Sequence, residues 1–321
     1  QQQARIIVWQ RKSVCPLYTT IFKDAKKRLK EILNDKVIYA DGLRPDELSA
    51  RLRLIKNVHG FFENDLTKQD RQTDDPIIKV EMEVYRLLGV HEHVLHSWYY
   101  MHQTWNFKST YYRGDSKSMR QSGQATTALG NAITDMQVHS QFVCNNVDKI
   151  ELMLFLGDDM LMLFNSPPNI SNLRKDIEVN YNMQSKDFYN EKHGNFCSMI
   201  AYKTSNNNCE LGPDLVRLKF RYEVTNGVHK PNDFTLLMRS MSYLYMIGNT
   251  PEVSKIVEDN KLPIRPVQWY TYANLLDGIA DKYEMTTVQV EGYYHTLLNM
   301  LLNQEVTTHV FRHYISQPKK F

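Results

Sequence analysis

Residues 152–164 read LMLFLGDDMLMLF. Two apolar runs flank Gly157, Asp158 and Asp159, a pattern that predicts a buried β-hairpin with two carboxylates at its tip. Burying a carboxylate without a partner is costly. The tip therefore either faces solvent as a plain turn or holds a cation. The triplet alone does not separate these readings, because chance supplies one in about one chain of this length in fifteen.

The chain has 321 residues, enough for a sizeable core and more than one subdomain. It is 42% apolar and 23% charged, the balance of a globular protein rather than a disordered or fibrous one. A net charge of +3 is weak as a global signal, but the basic residues cluster in KDAKKRLK (23–30), RLRLIK (51–56) and RLKFR (217–221). Such patches suit a polyanion or a solvated helix face equally well. Cys15, Cys144, Cys197 and Cys209 are scattered without a CxxC pair, which argues against a disulfide framework or zinc site and fits a reducing compartment. No apolar run reaches bilayer-spanning length, and no signal-peptide pattern is present. The chain opens QQQARIIVWQ, without a methionine, as expected for a piece of something longer.

Around the hairpin the pattern alternates helix and strand. Leu17, Ile21, Ala25, Leu29 and Leu33 recur every four residues and predict an amphipathic helix with a basic outer side. A second helix is expected near Pro45. VHGFFENDL (58–66) reads as a short strand ending in acid, and Asp74-Asp75-Pro76 as a helix start. Residues 91–113, rich in aromatics and histidine, alternate poorly and are expected to mix strand and loop. His91, His93 and His96 fit a helix face better than a metal site, since ligands need a converging geometry. Residues 120–143 run from a small-residue loop into a helix. A helix over 170–183 and strands over 184–189 and 195–203 follow. The turn-rich TSNNNCELGP (204–213) marks a boundary, beyond which helices are expected over 234–247, from Pro251, and over 267–283 and 286–304.

Three companions bear on the hairpin. First, Asp65 ends the strand candidate and Asp70 follows five residues on. If the strands of Asp65 and Asp158 are neighbours in one sheet, their carboxylates converge, and such hard oxygen ligands suit Mg²⁺. Two ions about 3.5–4 Å apart stabilise both the attacking and the leaving oxygen of an in-line phosphoryl transfer. The plain alternative is a surface turn. Second, Ser122-Gly123 precedes Thr127 and Asn131, which lie four apart and so share a helix face. Gly123 permits close backbone approach, while a hydroxyl and an amide on one face suit a sugar hydroxyl such as the RNA 2′-OH. The alternative is an ordinary capped helix. Third, NMQSK (182–186) is followed by GNFCSMIAY (194–202). Lys186 suits protonation of leaving pyrophosphate or the steadying of a triphosphate, or else is a surface lysine.

In this order the pieces resemble the palm of viral RNA-dependent RNA polymerases. FFENDLTKQDRQTDD resembles motif A, RQSGQATTALGN motif B and FLGDDMLML motif C, with NMQSK and NFCSM resembling motifs D and E. The likeness is to the alphavirus-like superfamily of plus-strand RNA viruses, with its endornavirus-like branch a candidate placement. It covers roughly residues 1–225.

The resemblance implies an α+β right-hand fold: partial fingers over 1–57, a palm over 58–205 with a finger insertion at about 76–115, and a helical thumb over 206–321. The palm would be a small antiparallel sheet of split-βαβ type. It implies RNA-directed RNA synthesis, in which an RNA 3′-OH attacks a nucleotide α-phosphate and pyrophosphate leaves. Asp65 and Asp158 would bind two Mg²⁺ ions, or Mn²⁺ as a substitute, with Asp159 in support. Asp70, Ser122, Thr127 and Asn131 would recognise the ribose, with Gly123 in the same loop, and Lys186 would be the general acid. Arg5, in ARIIV, would be the last basic residue of a finger motif gripping the triphosphate. Most of that motif is absent, so weak polymerisation is expected unless Arg5, Arg11 and Lys12 suffice. Implied partners are RNA template, primer or product, ribonucleoside triphosphates, and capping and helicase domains of a parent polyprotein. The implied location is the host cytoplasm, in membrane-associated replication complexes. A reverse transcriptase shares the palm logic, but usually carries an aromatic residue where Gly157 stands. A non-catalytic RNA-binding relic has no reason to keep Asp65, Asp158 and Asp159 together.

Overall fold

A computed structural model describes residues 8, 10–223, 233–248, 250–259, 261 and 267–302. In chain order the elements are α1 (Val14–Ile32), β1 (Val37–Tyr39), α2 (Pro45–Leu52), β2 (Gly60–Leu66), α3 (Gln69–Gln72), α4 (Asp75–Leu87) and α5 (Glu92–Gln103). β3 (Thr104–Lys108), β4 (Arg113–Lys117), α6 (Thr127–Val138), α7 (Ser140–Asn145), β5 (Ile150–Leu156), β6 (Asp159–Phe164), α8 (Leu173–Tyr181) and β7 (Ser185–Asn190) follow. The chain continues through β8 (His193–Phe196), β9 (Met199–Lys203), β10 (Cys209–Pro213), α9 (Leu215–Glu223), α10 (Asp233–Ile247), α11 (Pro251–Asp259), α12 (Tyr272–Tyr283) and α13 (Thr287–Leu302).

The chain forms two compact units, residues 1–41 with 62–189, and residues 42–61 with 190–321. These cuts differ from the finger, palm and thumb boundaries expected from the motifs, because packing groups segments that are distant in sequence. In the first unit a five-stranded sheet runs β1-β5-β6-β2-β7. The β5–β6 hairpin is antiparallel, as two apolar runs joined by a short turn predict, but β1 joins β5 in parallel. The sheet is therefore mixed rather than purely antiparallel, and β1 is too short for its pattern to be read. Helices α1, α4, α5 and α6 share one core with the sheet, centred on Phe22, Phe62, Tyr85, Trp98, Ile133 and Phe164. Phe62, Phe142 and Phe164 pack with ring centroids 5.0–6.3 Å apart, the spacing of favourable aromatic pairs.

Residues 92–103, expected to mix strand and loop, are helical. Leu95, Trp98 and His102 fall on one buried stripe at helical spacing, which outweighs the aromatic composition. Asp74 caps α4, accepting from the Ile77 amide, and Pro76 stands in its first turn.

In the second unit β8, β9 and β10 form an antiparallel sheet. Residues 209–213 are thus a strand inside the stretch read as turn and helix. Every residue of that strand is buried, so no alternation marks it. The helices expected beyond residue 213 are present, and α12 is tied back by Lys282 and Tyr283, which both reach the buried Asp214 carboxylate at 2.6 and 2.7 Å.

Candidate active site

Leu156 pairs with Asp159, so Gly157 and Asp158 are the two-residue turn of the hairpin. Gly157 has φ of +62°, a left-handed conformation that only glycine adopts without steric cost. The turn leaves Asp158 and Asp159 exposed, while the strand is buried from Met160 onward. β2 lies directly beside β6, and strand alternation exposes Asp65 between buried Asn64 and Leu66.

Asp135, on α6 and only 1% exposed, registers where these carboxylates stand. Burial pushes its carboxyl well above the usual carboxylate range, and the charges of Asp158, Asp159 and Asp65 push it further. The three exposed carboxylates thus share one neighbourhood beside α6. Among the described residues no three His, Cys, Asp or Glu side chains are close enough to hold an ion as placed. The carboxylates share a region without forming a closed cage, a spread that like-charge repulsion favours. An oxygen-only, multiply negative donor set fits a hard divalent cation, Mg²⁺ or Mn²⁺.

The loop before α6 is built from its own polar groups. The Thr127 hydroxyl donates to Gln121 O (2.7 Å) and accepts from the Gln124 amide (3.1 Å). The Val8 amide donates to Ser122 Oγ (2.9 Å), and the Gly123 amide donates to Val8 O (2.8 Å). Ser122, Gly123 and Thr127 therefore hold the loop closed in this structure, and their polar groups are engaged within the chain. Asn131 donates from Nδ2 to Asp70 Oδ1 at 2.9 Å. Asn131 is 5% exposed, and its Oδ1 receives no donor. Asp70, Ser122, Thr127, Asn131, Gly157 and Asp158 all line one cavity of about 750 Å³.

Lys186 is exposed on β7, the edge strand next to β2. The Thr67 amide donates to Gln184 O (2.8 Å), so β7 begins beside the end of β2 that carries Asp65. Arg5 lies outside the described residues, and Arg11 and Lys12 are exposed just ahead of α1. The His91 and His93 rings lie tilted with centroids 5.1 Å apart, with His91 capping α5, and among the described residues they join no group of three ligand-type side chains.

Several residues that position the site were not singled out from sequence. Arg120, fully buried, forks onto the Glu81 carboxylate, which also accepts from Tyr85 Oη (2.7 Å). The Arg120 amide donates to Asp70 O (3.2 Å). A Cβ on Gly130 would overlap both the guanidinium and the carboxylate, which accounts for a glycine inside α6. Trp98 donates to Thr126 Oγ1 (3.2 Å), and His102 reaches Gln124 Oε1 (3.1 Å), so α5 braces the same loop. Beneath them, Gln69 Nε2 donates to Asn131 O (3.0 Å) and Asp135 Oδ1 (3.2 Å). Two signals in the sequence mark these groups. Thr127, Asn131 and Asp135 recur every four residues, and Glu81 interrupts the apolar stripe of α4. A charge on a buried stripe demands a partner.

With this geometry in hand, comparison with known proteins is specific. The family model for RNA dependent RNA polymerase matches residues 1–229. The chain is 23% identical over 214 residues to the replicase large subunit of Potato mop-top virus, covering 66% of this chain and 12% of that protein. It is 25% identical over 171 residues to the replicase polyprotein 1ab of Beet yellows virus, covering 51% of this chain and 5% of that protein. Among solved structures, an insertion-loop deletion mutant of the RNA-dependent RNA polymerase of a human picorbirnavirus matches 97% of this chain and 61% of its own. The TM-score is 0.58 and the identity 12%, a likeness of fold. The chain thus spans about an eighth of the length of the replicase large subunits it matches. Over most of its length it belongs to the viral RNA-dependent RNA polymerase family of the alphavirus-like supergroup.

Proposed function

We propose that the chain catalyses template-directed addition of ribonucleotides to an RNA 3′-OH as part of a larger replicase. One observation carries this reading: Asp158 of the hairpin turn and the Asp70–Asn131 pair line the same cavity. A site that joins a charge-concentrating carboxylate to a hydroxyl-reading amide suits a nucleotide.

In this reading the 3′ oxygen forms a bond to the α-phosphorus, its proton passes to solvent, and the bond from the α-phosphorus to the bridging oxygen of the leaving pyrophosphate breaks. Asp65 and Asp158, with Asp159 in support, would hold the two divalent ions. When bound, such ions supply charge neutralisation at the attacking and leaving oxygens. Lys186 stands at the edge of the sheet to give the proton that pyrophosphate takes as it leaves. Asn131 lines the cavity and its Oδ1 is a buried acceptor without a donor, and a ribose hydroxyl is a donor that would match it. Asp70 fixes the orientation of that amide. Ser122, Gly123 and Thr127 shape the loop over the sugar. Positioning and charge neutralisation do most of the work in phosphoryl transfer.

RNA contact is assigned to the β3–β4 ribbon as well as the cavity. Lys108 and Arg113 stand directly opposite each other, and Asp115 and Lys117 follow on the same face, so that face carries three cations to one carboxylate. Tyr111 and Tyr112 at the tip are 87% and 73% exposed and offer stacking surfaces to single-stranded bases. Partnership with capping and helicase domains is supported by the length of the replicases this chain resembles. Placement in membrane-associated complexes of the host cytoplasm rests on the family alone, and no helix among the described residues is long and apolar enough to cross a membrane.

The test is incorporation of labelled nucleotide on a primed RNA template. Ribonucleotides should be incorporated in Mg²⁺ or Mn²⁺, with activity lost on chelation. Asp158→Asn should lower the rate on the order of 10³-fold or more, since the lost electrostatic stabilisation is several kcal/mol. Preference for deoxynucleotides would make the chain a reverse transcriptase, and an unaffected Asp158→Asn variant would refute the metal assignment.

A further inference from the structure

Asp70 sits on a helix that has little reason to hold still. α3 is a single turn, Gln69–Gln72, entered through Lys68 in the left-handed conformation (φ +51°) and lacking a side-chain cap. A turn this short is not stable by itself. Its far end is tied to Gln184, whose amide donates to Gln72 Oε1 (2.7 Å), and Asp70 O accepts from the Arg120 amide (3.2 Å), while two adjacent residues fasten it to one stretch of α6. On the cavity side Asp70 accepts from Asn131 Nδ2 (2.9 Å). On the buried side Gln69 Nε2 donates to both Asn131 O (3.0 Å) and Asp135 Oδ1 (3.2 Å). Gln69 is 3% exposed and Asp135 1%. Asn131 is gripped from both sides, by its side chain and by its carbonyl.

We propose that Gln69 and Asp135 are a positioning pair that sets the ribose selectivity of the site, by fixing where Asp70 and the Asn131 amide stand in the cavity. This rests on the assignment of Asp70 and Asn131 as ribose-reading residues. The chemistry of the pair gives it direction. The Asn131 carbonyl can only accept, so it requires the NH₂ end of Gln69, and Asp135 Oδ1 accepts from that same group. With the amide reversed, its oxygen would face the Asn131 carbonyl. The orientation that ties Gln69 to Asn131 is thus the one that Asp135 Oδ1 also engages. Packing alone does not call for these groups: Gln69 Oε1 and Asp135 Oδ2 are both buried without a partner, and two apolar side chains would fill the same space at lower cost. What apolar side chains would not supply is a directional tie. Sub-ångström placement matters here, since a shift of about 1 Å in a positioned group costs on the order of 100-fold.

The experiment measures equilibrium binding of ATP and 2′-deoxyATP to the chain on a template with a primer lacking its 3′-OH, in Mg²⁺, so that no turnover intervenes. The ratio of the two dissociation constants is the readout. Gln69→Leu and Asp135→Leu should each lower the preference for ATP about tenfold or more, by weakening ATP binding while 2′-deoxyATP binding stays within about twofold. Asp135→Asn, which keeps an acceptor oxygen for Gln69, should retain the preference. A loss shared equally by both nucleotides in the Leu variants, or a preference unchanged in them, overturns the proposal. Should Gln69→Leu fail to fold, Asp135→Leu against Asp135→Asn decides it. Asn131→Ala separates the two levels. If Asn131→Ala keeps the preference for ATP, the ribose-reading assignment is wrong. If it loses the preference while the Leu variants keep it, only the positioning pair is wrong.

Discussion

The polar groups around the cavity fall into two sets that differ in nearly every physical respect. Asp65, Asp158 and Asp159 are exposed at a strand end and a turn. Glu81, Arg120, Gln69 and Asp135, behind them, are at most 3% exposed and hydrogen-bonded to one another or to neighbouring segments. An exposed carboxylate costs little to keep and remains available to a cation. A buried polar group is costly unless it is paired, and is then held in one place. In the proposed mechanism the rim would carry the chemistry and the floor its geometry.

The largest expected effect breaks the floor. Glu81→Ala strands the Arg120 guanidinium in the core and should destabilise the chain by about 3–5 kcal/mol in urea denaturation, whereas Glu81→Leu with Arg120→Met should recover much of that loss. Asp158→Asn, on the rim, should change stability by no more than about 0.5 kcal/mol while abolishing synthesis. Equal destabilisation by Glu81→Ala and Asp158→Asn would erase the distinction.

A smaller effect titrates the buried side. His139, at the end of α6, is fully buried, and burial lowers its pKa to about 4. Below the ordinary histidine pKa of about 6.5 the unfolded chain takes a proton that the folded chain refuses. Stability on this account is complete above about pH 6.5 and falls as pH drops towards 4, by up to roughly 3 kcal/mol. Thermal melts from pH 7 to 4 should show this slope, and His139→Gln should flatten it. Asp135, whose folded carboxyl is raised, acts in the opposite sense, its contribution fading as pH rises, so the His139→Gln difference isolates the histidine.

The smallest effect belongs to the exposed ribbon. Lys108→Glu with Arg113→Glu should weaken binding of a single-stranded oligoribonucleotide and reduce the salt dependence of its affinity by about 1.4 in the log–log slope, for two phosphate contacts at about 0.7 each. The melting temperature should not fall. An unchanged salt slope would remove the ribbon from the RNA path.

Much of the rim was legible in the sequence and little of the floor. The 152–164 pattern specifies a hairpin because short apolar runs and turn chemistry act over a few residues, and the spacing of Ser122, Thr127 and Asn131 specifies a loop entering a helix. Residues 92–103 misled because aromatic composition suggests strand, while the buried stripe of Leu95, Trp98 and His102 makes a helix. The roles of Ser122 and Thr127 changed emphasis too: a hydroxyl suited to a sugar is equally suited to a nearby amide, and proximity settled which it meets.

By itself the sequence determined the elements that bear the candidate site residues: the Gly157-Asp158 turn, the acid at the end of β2, and the four-residue spacing of Thr127 and Asn131 on one helix face. Tertiary structure alone decided that β6 lies beside β2, that α3 docks on α6 through Gln69, and that Glu81 finds Arg120 thirty-nine residues away. The physical reason is range. Turn geometry and amphipathic spacing are settled within one or two turns of chain, whereas the partner of a buried charge is settled by which distant segments exclude water together.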